Sequence, residues 1–161
     1  MAARLFGILK RGAEAVGALL FLLMFLAFLL QVGSRYLLDS PLGWTLEASL
    51  AAYLWFVFWA SALMLREQDQ VRFDLLLRAL PARGRRWLEM LAAAATLALF
   101  GVALWPTADW IGFMRIDRTW TLGIRFDLLF SVYLLFMAAV LLRSAGALVS
   151  HLIRRPGNDE R

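Results

Sequence analysis

Cysteine is absent from this 161-residue chain, and histidine occurs once, at His151. The first absence excludes disulfides, thiolate metal sites and thiol redox or nucleophilic chemistry. The second excludes a bis-histidine haem, and a single imidazole does not make a zinc cage. Charge is also scarce: Asp, Glu, Lys and Arg make up 18% of the residues, against about a quarter in a soluble domain. No glycine-rich phosphate loop and no nucleophile elbow is present. Hydrocarbon is what the chain has in excess, with 62% hydrophobic residues and a mean hydropathy of +0.70. One small core cannot hide that much apolar surface, so the expected solvent is a lipid bilayer. The 17 Lys and Arg against 12 Asp and Glu would suggest a nucleic acid in a polar chain. In an apolar one, basic clusters flank and orient membrane spans, so no nucleic-acid partner and no cofactor are expected.

Uncharged runs extend over Ala15–Ser34, Ala48–Leu65, Met90–Ala108 and Leu128–Leu142. A membrane helix needs about 20 mostly apolar residues, and the charges bracketing the first three runs stand roughly 28–32 Å apart on a helix. The fourth run continues past Arg143, whose long side chain can snorkel toward the interface, to about Ile153. The expected fold is an all-α membrane protein of four transmembrane helices, near 14–35, 44–65, 88–108 and 127–153, in one integral membrane domain. The first run exceeds a signal-peptide core and lacks a small-x-small cleavage site, so it is read as a retained span.

Basic residues set the expected orientation. Arg4, Lys10 and Arg11 precede the first span, Arg143, Arg154, Arg155 and Arg161 lie at or after the end of the fourth, and Arg66, Arg72, Arg78, Arg83, Arg85 and Arg86 fill the loop between spans two and three. The opposite side carries Arg35, Arg115, Arg118 and Arg125. By the positive-inside rule both termini are cytoplasmic. In the central loop Phe73, Leu76, Leu77 and Leu80 share one helical face and Pro81 closes the segment, which predicts a short amphipathic surface helix. Residues 1–12 repeat the pattern weakly through Leu5, Ile8 and Leu9.

Trp44, Trp105 and Trp110 at outer span ends and Trp87 at an inner one fit an interfacial belt. Trp55 and Trp59, four residues apart near the middle of span two, predict a face that meets lipid or another membrane protein. Ala94, Ala98 and Gly101 form a small-residue stripe on span three, expected to serve internal packing. Transport by this chain alone would need ionisable groups at membrane depth. The first three runs contain none, and Gln31, the main polar candidate in span one, lies close to its outer end. An independent four-helix carrier or channel is therefore the alternative reading, not the leading one, and no enzyme activity is expected. The mixed charges Arg115, Asp117, Arg118, Arg125 and Asp127 read either as a solvated turn or as a docking loop for a soluble protein.

Residues 34–47 form a polar, aromatic elbow. Ser40-Pro41 looks like a helix start, Glu47 lies in the early turns of span two, and an Arg35–Glu47 pair is geometrically open. Here the sequence resembles the small, DctQ-like membrane subunit of tripartite ATP-independent periplasmic (TRAP) transporters. In that family the first span ends in Arg-Tyr, a proline follows, and Trp-Thr/Ser-Glu-Glu opens the second span. The matching residues are Arg35, Tyr36, Pro41, Trp44, Thr45 and Glu47, with Leu46 at the first acidic position. Asp74-Leu75 after the second span, Leu80-Pro81 and Leu122-Gly123-Ile124 also correspond, whereas Gln70 stands where histidine is common and Arg125 where proline is usual.

The resemblance implies a scaffold role in the bacterial inner membrane. Its partners would be a large membrane subunit that holds the substrate and sodium sites, and a periplasmic solute-binding protein that delivers an organic acid. On that basis Arg35, Tyr36, Pro41, Trp44 and Glu47 are the candidate docking elbow, Trp55 and Trp59 the candidate face for the large subunit, and Arg115, Asp117, Arg118 and Arg125 the candidate docking loop.

Overall fold

In the computed structural model the described residues are 2–37, 39, 42–64 and 81–153. They form four long helices: α1 (Ala2–Leu37), α2 (Gly43–Trp59, prolonged by a π turn over Ala60–Met64), α3 (Ala82–Phe113, followed by a 3-10 turn over Met114–Ile116) and α4 (Phe126–Ile153). All four are long and apolar enough to cross a membrane, so this is an all-helical, multi-pass membrane protein. The surface helix expected around Phe73–Leu80, the Ser40-Pro41 pair and the basic tail of Arg154, Arg155 and Arg161 lie outside the described residues. Helix α2 begins at Gly43, with Leu42 as its extended N-cap, two residues beyond the start that Ser40-Pro41 suggested. Helix α1 is continuous from Ala2, so Leu5, Ile8 and Leu9 belong to its first turns and form no separate surface element.

The helices pack in the order α1–α2–α4–α3, with α3 resting chiefly on α4. Such a row has little interior. Among the described residues only Ala27, Ala62, Ile111, Val132 and Met137 are buried apolar side chains, joined by the polar Ser34 and Thr45. In lipid that is no defect, because outward leucines and phenylalanines are already in hydrocarbon and helix association rests on packing and hydrogen bonds. An aromatic seam ties the row together. Phe58 of α2 meets Tyr133 and Phe136 of α4 at centroid distances of 5.1 and 5.5 Å, and Phe100 of α3 reaches Phe136 at 6.2 Å. Each such pair contributes about 0.5–1.5 kcal/mol beyond its buried area.

The stripe expected to pack internally does not. Ala94, Ala98 and Gly101 are all exposed, as are Leu99 and Val102. The more covered face of α3 runs instead through Leu97, Phe100, Leu104 and Ile111, and Phe100 on it reaches Phe136 of α4.

Two ends of the row are pinned differently. At one, the Trp59 indole donates to the Ala13 carbonyl at 3.0 Å, and a side chain at Gly17 would meet the Met64 sulfur at 2.5 Å. At the other, the elbow after α1 and the hairpin between α3 and α4 come together.

Candidate functional site: a clasp between the elbow and the second hairpin

The clasp begins with hydroxyls that lend hydrogen bonds where the backbone leaves its helix. Ser34 donates to the Gln31 carbonyl at 3.1 Å and accepts from the Leu42 amide at 3.5 Å. Thr45 is fully buried. Its hydroxyl donates to the Leu42 carbonyl at 2.6 Å and is hydrogen-bonded to the side-chain amide of Gln31. A hydroxyl has one proton. With that proton on the Leu42 carbonyl, a Gln31 amide that turns its NH2 toward Thr45 satisfies all three groups. Gln31 thus closes α1 onto the first turn of α2. Between them Asp39 holds φ at +50°, the left-handed region that aspartate enters more readily than most residues.

Glu47 forms the second half. Its two carboxylate oxygens accept the consecutive backbone amides of Thr121 and Leu122, each at 2.8 Å. Both oxygens are therefore engaged by the hairpin, and the Arg35–Glu47 pair that the elbow suggested is not made. The two consecutive backbone amides are already held in place by the turn, so the carboxylate meets them without ordering a long side chain such as that of Arg35. Gly43 lies under the same turn, and a Cβ there would stand 3.4 Å from the Thr121 hydroxyl.

The hairpin is itself highly ordered by hydrogen bonds. Arg118 and Arg125 form an antiparallel bridge. The Thr119 amide donates to the Ile124 carbonyl at 2.9 Å, the Gly123 amide to the Thr119 carbonyl at 3.1 Å, and the Ile124 amide to the Thr119 hydroxyl at 3.0 Å. Gly123 has φ +65°, a conformation glycine enters without steric penalty. Arg125 grips Asp127 through a two-pronged contact at 3.1 and 2.5 Å, while Asp127 accepts the Leu128 amide at 2.9 Å. Of the four docking-loop residues read from the sequence, Arg125 is thus engaged in starting α4, whereas Arg115, Asp117 and Arg118 are exposed. Arg35 and Tyr36 are exposed at the end of α1, and Trp44 is exposed at the start of α2.

Below the clasp, α1, α2 and the start of α4 frame an open apolar groove of about 610 Å³, whose walls include Leu23, Ala27, Trp44, Ala52, Trp55 and Leu128. Trp55 therefore faces this groove, one turn away from Trp59, whose indole nitrogen is held by α1. Three features escaped the sequence reading. The partners of Glu47 are backbone amides 74 and 75 residues away, which no side-chain pattern announces. Trp120, at the hairpin tip, is 98% exposed. Arg143 crosses to α2 and donates to the carbonyls of Ser61 (3.1 Å) and Ala62. Those carbonyls sit in the π turn, where the wider hydrogen-bond register loosens the ordinary helical pairing.

Residues 24–154 match the family described as tripartite ATP-independent periplasmic transporters, DctQ component. The chain belongs to the DctQ family. Among curated proteins the chain finds no match. A DctQ component is a part of a transporter and not an enzyme. In this DctQ component the clasp joins the two connections on one side of the membrane, and it lies within the matched residues.

Proposed function

We propose that the chain is the small scaffold subunit of a sodium-dependent TRAP transporter of the bacterial inner membrane. It binds a large membrane subunit that carries substrate and sodium, and a periplasmic binding protein delivers an organic acid to the pair. Both termini face the cytoplasm, which makes the clasp periplasmic. The observation that carries this reading is the family match over 24–154 on a row of helices with almost no interior of its own. A row of this kind is completed by a neighbour.

The large subunit covers the open groove, with Trp55 at the contact and Trp59 holding α1 and α2 at the angle that keeps the groove open. The elbow residues Arg35, Tyr36, Pro41, Trp44 and Glu47 and the loop residues Arg115, Asp117, Arg118 and Arg125 form the periplasmic docking side. Site-specific photocrosslinking tests the assignment. A photoreactive phenylalanine analogue at Ala52, in the groove wall, is expected to trap the large subunit in membranes. The same analogue at Leu135, on an exposed part of α4, serves as the comparison. Equal yields at both positions, or no product at Ala52, would remove the groove from the interface.

A further inference from the structure

The second hairpin presents a tryptophan in a manner that neither span packing nor the interfacial belt requires. Trp120 is 98% exposed, yet the turn carrying it is held at both flanks, by the Thr119–Ile124 bond at 2.9 Å on one side and by Glu47 on the amides of Thr121 and Leu122 on the other. Leu122, two residues on, is turned into the groove wall. A large aromatic side chain on a pre-ordered backbone is the form that interface anchors take, because little further ordering entropy is lost on binding. Arg115 and Arg118 are exposed beside it, whereas Arg125 is neutralised by Asp127. With Asp117 the exposed charges of the hairpin sum to a small positive excess.

We propose that Trp120 is the anchor by which the periplasmic binding protein docks, entering an apolar pocket of that protein whose rim carries carboxylates facing Arg115 and Arg118. The assignment rests on the TRAP reading given above. A membrane surface fits the hairpin less well. The interfacial tryptophans Trp44, Trp105 and Trp110 already belong to the helices, whereas Trp120 stands on the hairpin between α3 and α4.

The test uses the complex of this chain with its large subunit in lipid vesicles, supplied with substrate-loaded binding protein at graded concentrations. Trp120→Ala is expected to raise the binding-protein concentration for half-maximal uptake about tenfold, with the maximal rate and the recovery of the complex unchanged. Trp120→Phe is expected to restore most of the loss, and Arg115→Ala with Arg118→Ala to raise the half-maximal concentration and flatten its dependence on salt. An unchanged half-maximal concentration in Trp120→Ala, with the complex intact, would overturn the anchor. So would quenching of the Trp120 fluorescence, read as wild type minus Trp120→Phe, by brominated lipid in the presence of binding protein. If the wild-type vesicles show no uptake at all, the transporter reading itself fails and the anchor goes with it.

Discussion

Replacing Glu47 with alanine is expected to release the second hairpin from α2 while leaving the helices in the membrane. Hydrogen–deuterium exchange over 118–125 is the measurement, and protection should fall about a hundredfold. The reason lies in the geometry: two amides at 2.8 Å lose their only described acceptors. The remaining hairpin bonds, such as Thr119 to Ile124, hold the turn together but not its position over Gly43. Glu47→Gln keeps one carbonyl oxygen and points an NH2 at the second amide, so its protection should lie between the two. Arg35→Ala should change nothing over 118–125, because Arg35 does not share in the clasp. An exchange profile that is the same for wild type and Glu47→Ala would show that the hairpin is placed by something else.

Thr45→Val probes the other half of the clasp and should lower the stability of the chain by about 1–3 kcal/mol. Valine keeps the shape, but the buried hydroxyl linked the Leu42 carbonyl to the Gln31 amide. Both groups lose a partner at the edge of the hydrocarbon, where water does not readily replace it. Thermal unfolding in detergent gives the number. Gln31→Leu made together with Thr45→Val should restore part of the loss, since the amide left unpaired is then gone. Strictly additive losses would mean that the two side chains are not coupled and that Gln31 does not close α1 onto the first turn of α2.

The legibility of the sequence follows the range of the interactions involved. The four helices were readable because a span needs only local composition and length, and Ala15–Ser34 or Met90–Ala108 supply both. The elbow was readable as a motif, since Trp44, Thr45 and Glu47 stand close together. Their actual roles were not. Thr45 and Gln31 belong to different helices, and Glu47 binds main-chain amides, which every residue but proline possesses. Small residues misled in the other direction. Ala94, Ala98 and Gly101 permit close approach, but permission says nothing about whether the neighbour lies within the chain or beyond it. Arg143 shows the same limit: nothing around it in the sequence announces the two carbonyls in the π turn of α2 to which it donates.

The groove and the clasp together give the proposed scaffold role a physical form. In the proposed reading, one side of the row offers its apolar groove to the large subunit, and the end of the same row holds the hairpin in place. Movement of the neighbour would then be judged against a stationary docking point.

Reconstituted uptake tests that claim most directly. Vesicles holding the large subunit and this chain, with a sodium gradient and a binding protein loaded with organic acid outside, should accumulate substrate. Vesicles holding either membrane subunit alone should not. Uptake by this chain alone, or full uptake by the large subunit without it, would contradict the scaffold account.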